Sequence, residues 1–177
     1  MDRVDFRRGS HIWSGMAYHD AGTEVMTLPE YIQGNEGLRF DAYDDSTGKP
    51  VLPGQKVIGT LTNGYGHTGK DVYPGQTWTK AHADAVFYRD LAVASLDAEA
   101  TLGPTVFAGL ADARQIAFCD LSFQLGETKL AGFHKMIAAA RAGDWRTSSA
   151  ELLNSAEDKD TPARTARNAN LILNGTF

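Results

Sequence analysis

The chain has 177 residues, of which 42 % are apolar, enough for one substantial core or for two small ones that share a helix. Its formal charge of −5 argues against nucleic acid as the main partner, since phosphate contacts need clustered Lys and Arg. The single cysteine, Cys119, excludes an internal disulfide and lies in an apolar run, so we expect a buried structural thiol. The five histidines lack the spacing of metal ligands, and we expect no metal.

The beginning of the chain is the least informative part. It has no apolar segment of the kind found in secretory signals, and no run of 18 apolar residues occurs anywhere, so we expect the chain to accumulate in the cytoplasm. Residues 1–27 place Trp13, Met16 and Tyr18 among Gly, Ser and charges without periodicity. Two interpretations stay open, a docking arm that packs on the body and a poorly ordered tail.

The first predicted helix starts at Thr27-Leu28-Pro29-Glu30, with Thr27 as a cap and Pro29 in the first turn. Leu28, Tyr31 and Ile32 share one apolar face. The helix ends near Glu36.

A strand-like pattern follows over 38–65, where apolar and polar residues alternate and Gly and Pro mark turns. It predicts an antiparallel sheet of two or three strands. The turns are supplied by Gly48, Pro50, Pro53, Gly54 and Gly59.

Helices fill the rest of the chain. Thr79 begins a long Ala-rich helix that runs up to Gly103. Periodicity and end signals then predict four more helices, over 111–125, 129–141, 145–154 with Asp144 as its cap, and 161–173.

Two acidic residues nine positions apart, Glu36 and Asp45, are the first chemical signal. Glycoside hydrolysis needs one carboxyl group that holds a proton for the leaving oxygen and one that stays ionised. Thr62, just before a Gly64-Tyr65-Gly66-His67 turn, adds a hydroxyl. Alone, the pattern also fits a helix-end Glu beside solvated hairpin charges.

Several separate matches distinguish these readings. The run Glu36-Gly37-Leu38-Arg39, followed by Tyr43, Asp45, Thr62 and the Gly64–His67 turn, resembles the phage lysozyme family of glycoside hydrolases. Further along, the sequences FQLGET at 123–128, AGF at 131–133 and TPAR at 161–164 are similar to the T-even-phage branch, in the same order. The resemblance covers about 28–177 and leaves residues 1–27 outside.

The resemblance implies a mainly helical, two-lobed α+β fold. Residues 28–78 would form the sheet lobe with a cleft, 79–100 the connector helix, and 101–177 the helical lobe. The segment between Asp45 and Thr62 is longer than in the T-even enzyme, which makes 49–59 an inserted loop on the rim of the cleft.

It also implies the roles of individual residues. Glu36 would be the general acid, Asp45 the second carboxylate that stabilises charge or orients water, and Thr62 the residue that helps to position the attacking water of an inverting reaction. Arg164 would pair with Glu36. His67 would form a structural pair with Asp90, and Asp44 would face solvent.

The family's substrate positions match the following residues: Thr68, Phe123, Gln124, Met136 and Glu151. Phe123 fits core packing equally well. Met136 and Glu151 differ in type from the T-even enzyme, Asn35 replaces an acid beside Glu36, and Glu157 replaces a cleft aromatic. We therefore expect altered sugar contacts.

The implied function is that of a monomeric endolysin, active without a cofactor. It would hydrolyse the β-1,4 bond between N-acetylmuramic acid and N-acetylglucosamine in bacterial peptidoglycan. It would reach the periplasm through a separate, holin-like membrane-permeabilising protein and cause host lysis. Two alternatives stay open: a virion-associated or secreted effector with the same chemistry, for which residues 1–27 would be a docking or export signal, and a wall-binding module without catalysis.

Overall fold

The computed structural model describes residues 26–177, so the interpretations made for residues 1–25 lie outside the described part of the chain. The fold is α+β, mostly helical with one small antiparallel sheet. The described residues form two compact units, Ile32–Leu91 and a second unit that joins residues 26–31 to Ala92–Phe177. No helix in 26–177 is long and apolar enough to cross a membrane.

Helix α1 (Leu28–Glu36) begins with the predicted cap. The Glu30 carboxylate accepts hydrogen bonds from the backbone N–H and the hydroxyl of Thr27, both at 2.8 Å, as in a capping box. The apolar face is also confirmed, since Leu28, Tyr31 and Ile32 are all buried. The helix ends at Glu36, and Gly37 follows with φ 70°, a conformation that ends helices and that glycine adopts without strain.

The sheet has four strands where two or three were predicted: β1 (Arg39–Asp44), β2 (Lys49–Pro50), β3 (Leu61–Gly64) and β4 (His67–Thr68). Their order is β2-β1-β3-β4, and every neighbouring pair is antiparallel. The extra strands have two residues each and were too short to give an alternating pattern. Since β2 pairs with β1, the inserted segment begins inside the sheet, and only 51–60 forms a loop.

Helix α2 (Lys80–Leu102) matches the predicted long helix, and the Thr79 hydroxyl caps it by accepting from the His82 N–H. The division between the two compact units falls inside this helix, between Leu91 and Ala92. Within Ile32–Leu91, its buried Phe87 stacks at 4.9 Å on the ring of Tyr65.

The remaining helices lie in the second unit and form its core. They are α3 (Pro104–Ala108), α4 (Asp112–Leu125), α5 (Glu127–Ala131), α6 (His134–Arg141), α7 (Trp145–Leu153), α8 (Glu157–Asp160) and α9 (Pro162–Asn174). Asp144 caps α7 as predicted, and Gly175 ends α9 with φ 73°. The largest fully buried side chains of this core are Phe118, Ile116, Leu121, Leu130, Met136, Leu152 and Ile172.

The single helix predicted over 129–141 is wrong. Helix α5 ends at Ala131 and α6 starts at His134, because Phe133 has φ −80° and ψ 56°, outside the helical region. Apolar positions continue on one side across the break, at Leu130, Met136 and Ile137, and so the two helices resemble one in the sequence.

Cys119 is fully buried, as predicted. Burial raises the pKa of its thiol to about 12, so the thiol stays protonated and unreactive near neutral pH.

Candidate active site

The three candidate catalytic residues all belong to the compact unit Ile32–Leu91. Glu36 is the last residue of α1, Asp45 follows β1 directly, and Thr62 lies inside β3. An acid at a helix end, a carboxylate at a strand end and a hydroxyl on a paired strand are therefore held by regular structure.

A cross-strand row of side chains organises this part of the sheet. Thr62 pairs with Tyr43 on β1 and with Thr68 on β4, so these three side chains share one face. The predicted substrate residue Thr68 therefore lies beside the candidate hydroxyl of Thr62. Thr62 itself is only 4 % exposed, whereas Thr68 is open to solvent.

The phenol of Tyr43 is affected by the charges of both candidate carboxylates. Burial is the largest cause that raises the pKa of its phenol, the guanidinium of Arg39 opposes the rise, and the negative charges of Glu36 and Asp45 add to it. The Arg39 guanidinium stacks 3.9 Å from the centre of the Tyr43 ring. Both carboxylates are thus within electrostatic reach of one partly buried phenol.

Glu36 is partly exposed and lies against the turn between β3 and β4. A Cβ built on Gly66 would approach Glu36 Oε2 to 2.9 Å, and Gly66 has φ 83°. Any side chain at position 66 would therefore meet both backbone strain and the carboxylate. The Gly64–His67 turn, recognised in the sequence as a motif, makes room for the candidate acid.

Asp45 is exposed, and its carboxylate is fixed by the residues that precede β3. Its Oδ1 accepts a hydrogen bond of 2.6 Å from the Thr60 N–H and one of 3.3 Å from the Ser46 hydroxyl. The Thr60 carbonyl accepts from the Asp45 N–H at 3.0 Å and from the Thr62 hydroxyl at 3.1 Å. Nothing in the sequence pattern indicated Thr60, although it links two of the three candidate residues.

The prediction that Asp44 faces solvent is wrong. Asp44 is 3 % exposed, and its carboxylate accepts from the N–H groups of Ser46, Ile58 and Gly59. These bonds, led by the one from Ile58, lower the pKa of Asp44. The carboxylate is buried because the inserted loop folds back over it, which the local sequence does not reveal.

His67 forms the pair that the resemblance implied. Its Nδ1 lies 2.6 Å from Asp90 Oδ2, and its Nε2 lies 3.1 Å from Asp71 Oδ1. The bond from His67 is the main cause that lowers the pKa of Asp71. Because both ring nitrogens face carboxylates, the contacts support a structural role for His67, which stays a prediction.

The other predicted site residues lie in the second unit. Gln124 donates to Glu157 and to Thr161, both at 3.0 Å, and Phe123 is partly buried. Met136 and Glu151 line a groove of about 560 Å³, where Met136 is 1 % exposed and forms part of an apolar floor. The groove is lined further by Lys129, Gly132, Phe133, His134, Lys135, Asn154, Ser155, Ala156 and Glu157.

Arg164 is held by a buried polar network that the sequence did not reveal. Its Nε and Nη2 donate to the two oxygens of Asp120 at 2.9 and 2.8 Å. Asp120 is fully buried and also accepts from the Asn168 amide at 2.7 Å, and Asn168 accepts from the Tyr31 hydroxyl at 2.8 Å. An aspartate inside an apolar helix run was the available signal, since a buried carboxylate needs partners. The pairing of Arg164 with Glu36 stays a prediction.

Across residues 26–177, no group of three His, Cys, Asp or Glu side chains is placed to hold a metal ion. The chemistry available at Glu36, Asp45 and Thr62 is that of proton transfer, electrostatic stabilisation and orientation of a water molecule.

Comparison with known proteins gives this arrangement a family. The sequence model of the phage lysozymes matches residues 33–170. A SAR-endolysin of bacteriophage PS34 is 41 % identical over 68 residues, 38 % of this chain and 34 % of that protein. The pre-baseplate central spike protein Gp5 of enterobacteria phage T4 is 30 % identical over 168 residues, 86 % of this chain and 28 % of that protein.

A probable T4-type lysozyme of Dictyostelium discoideum is 25 % identical over 166 residues, 86 % of this chain and 97 % of that protein. The match thus spans only about a third of the length of the endolysin and of the spike protein, and nearly all of the amoebal protein. With the family model covering most of the sequence, the chain belongs to the phage lysozyme family.

Proposed function

We propose that this chain is a lysozyme that hydrolyses the β-1,4 bond between N-acetylmuramic acid and N-acetylglucosamine in bacterial peptidoglycan. The observation that carries the proposal is the arrangement of Glu36, Asp45 and Thr62 around Tyr43 in one compact unit of a phage lysozyme family member. The proposal assigns the proton donor to Glu36 and the ionised carboxylate to Asp45.

The surroundings of the two carboxylates suit these different tasks. Asp45 accepts hydrogen bonds from an N–H and a hydroxyl, which hold its carboxylate in place to face a developing oxocarbenium ion. Glu36 lies at a helix end against a glycine turn, where it can project toward the leaving oxygen. Two carboxyl groups in different environments are the usual basis for splitting acid and anion roles.

Thr62 fits the task of holding the attacking water. Its hydroxyl hydrogen is directed to the Thr60 carbonyl, which leaves the lone pairs of the oxygen to accept a hydrogen bond from water. A water held between Thr62 and Asp45 would attack the sugar from the face opposite the leaving group. The proposed stereochemical outcome is therefore inversion.

Substrate contacts are proposed for Thr68 in the sheet and for Phe123, Gln124, Met136 and Glu151 in the second unit. The groove lined by Met136 and Glu151 offers an apolar floor and acidic and basic sides, which suits the mixed polarity of a glycan with a peptide stem. No cofactor is needed for this bond, because positioning and proton transfer suffice.

The biological setting proposed first is that of a monomeric endolysin. The similarity to SAR-endolysins supports it. The chain would be made in the host cytoplasm, would act on the wall in the periplasm after a holin-like protein permeabilises the membrane, and would cause host lysis.

A second setting is that of a lysozyme carried in the virion. The match to a pre-baseplate central spike protein, which covers 86 % of this chain, supports this setting. An antibody against the chain distinguishes the two settings. Signal in purified particles supports the virion lysozyme, and signal confined to the soluble lysate supports the endolysin.

The test of activity is the rate at which outer-membrane-stripped Gram-negative cells clear. We expect the wild type to clear them and folded Glu36→Gln to be slower by about a hundredfold or more, the size typical of losing a general acid. New reducing ends at N-acetylmuramic acid would identify the bond. Sedimentation with wall fragments without clearing by a folded wild type would instead indicate a binding module, and equal rates would place the acid elsewhere.

A further inference from the structure

The inserted segment 49–59 connects β1 with β3. It begins as strand β2, and the chain rejoins the sheet next to Asp45 at Leu61, the first residue of β3. The two aspartates that precede the segment, Asp44 and Asp45, both bind the backbone at its end. Asp44 and Asp45 therefore tie the end of the inserted segment to the candidate carboxylate.

Asp44 provides the anchor on the buried side. Its carboxylate accepts from the N–H groups of Ser46 at 3.0 Å and of Gly59 at 3.2 Å, and also from that of Ile58. Its carbonyl accepts from the Gly48 N–H at 2.8 Å. Several hydrogen bonds to one buried carboxylate fix the Gly59 peptide relative to β1.

Thr60 provides the link on the exposed side. The Thr60 N–H donates to the Asp45 carboxylate, and the Thr60 carbonyl accepts from the Asp45 N–H and from the Thr62 hydroxyl. The separation of the Asp45 carboxylate from the Thr62 oxygen is therefore set through a single residue.

Gly59 is the position at which this arrangement tolerates no side chain. A Cβ built there would fall well inside contact distance of Asp45 Oδ1 and of the Ser46 hydroxyl. Gly59 is not among the glycines with positive φ, so alanine fits its backbone conformation without strain. A methyl group at 59 would thus press on the Asp45 carboxylate and on the Ser46 side chain, whose Cβ lies 2.8 Å from it.

We propose that Gly59 and Thr60 are positioning residues that fix the carboxylate of Asp45 beside Thr62. The contacts of Gly59 and Thr60 with Asp45 form a clamp, and the inserted segment closes it. The inference rests on the proposed function, in which Asp45 and Thr62 orient the attacking water. It adds that the loop carries part of the catalytic geometry, so its length and end residues are constrained even though most of it is exposed.

The test is Gly59→Ala in the full chain, with Gly109→Ala as the matched control, because a Cβ at Gly109 meets its neighbours only at 3.5 and 3.6 Å. On soluble, uncrosslinked peptidoglycan fragments we expect kcat of Gly59→Ala to fall by about 10- to 100-fold with KM nearly unchanged, the size of effect that misplacement by about 1 Å produces. The control should keep the wild-type values. The side-chain carboxyl 13C resonance of Asp45, assigned through Asp45→Asn, should shift in Gly59→Ala alone.

A second measurement needs no change at Gly59. Hydrogen exchange of the Thr60 amide, followed by NMR, should be faster in Asp45→Ala than in the wild type, because the amide donates to that carboxylate. A Thr60 amide that exchanges equally fast in both proteins overturns the clamp, as does a folded Gly59→Ala with wild-type kcat and an unmoved Asp45 resonance. If the wild type itself does not cleave, the proposed function fails, while both NMR measurements still decide whether the clamp exists.

Discussion

Tyr31→Phe removes one hydroxyl from the buried network of the second unit and should produce a stability difference that depends on pH. Tyr31 is 7 % exposed, and its hydroxyl donates to Asn168 at 2.8 Å. Burial raises the pKa of the phenol from 10.0 to about 12, the negative charge of Asp120 adds to the rise, and Arg167 and Arg164 oppose it. The hydroxyl is therefore held neutral and hydrogen-bonded.

The magnitude follows from two terms. At pH 8 the variant loses a buried hydrogen bond, which lowers the free energy of unfolding by about 1–2 kcal/mol. Above pH 10 the phenol of the unfolded wild type ionises, whereas the folded one keeps its proton until about 12, so the stability that Tyr31 contributes falls as pH rises. By pH 11 this linkage lowers the free energy of unfolding of the wild type by about 1.4 kcal/mol. The Tyr31→Phe variant has no phenol at this position and is not affected in this way.

Urea unfolding at pH 8 and pH 11 measures this directly. The wild type should be more stable than Tyr31→Phe by about 1–2 kcal/mol at pH 8, and the two should nearly coincide at pH 11. Tyr73→Phe, at a tyrosine that is 59 % exposed, controls for the loss of a tyrosine at the surface and should show no such convergence. A difference between wild type and Tyr31→Phe that is equal at both pH values would refute the reasoning.

Two further changes test the core of each unit by thermal or chemical unfolding. Asp120→Ala removes the buried acceptor of Arg164 and should lower the free energy of unfolding by about 3–5 kcal/mol, the usual result of deleting one partner of a buried ion pair. Asp120→Asn should cause a smaller loss. A loss below about 1 kcal/mol for Asp120→Ala would contradict the network. Gly64→Ala combines φ 63° with a Cβ only 2.8 Å from the Trp78 ring. Its loss of stability should clearly exceed that of Gly54→Ala, where nothing lies within 4 Å and only the roughly 1–2 kcal/mol of left-handed strain is expected. Equal losses of stability would show that the Trp78 ring moves away freely.

Features encoded by neighbouring residues were predicted well from the sequence. The Thr27 cap and the Asp144 cap each depend on residues within one helical turn, and both are present. The apolar face of α1 and the long helix α2 follow from periodicity in the same way.

Features that depend on distant partners were not predictable in this way. Asp120 lies 44 residues before Arg164, and Asp44 lies 14 residues before the Ile58 N–H that it binds. Both aspartates are nearly inaccessible, yet a residue-by-residue reading assigns an aspartate to the surface, because charged side chains are rarely buried without partners. The partners exist, but only the folded chain brings them close.

The candidate site shows both situations at once. The types and order of Glu36, Asp45 and Thr62 made them candidates in the sequence, and the resemblance to the phage lysozymes implied their roles. The residues proposed to fix Asp45 beside Thr62 are Thr60, an ordinary residue that acts through its backbone N–H and carbonyl, and Gly59, which acts by having no side chain. Backbone groups and empty space leave no recognisable residue type. The candidate residues could therefore be named from the sequence, whereas the residues proposed to position them required the structure.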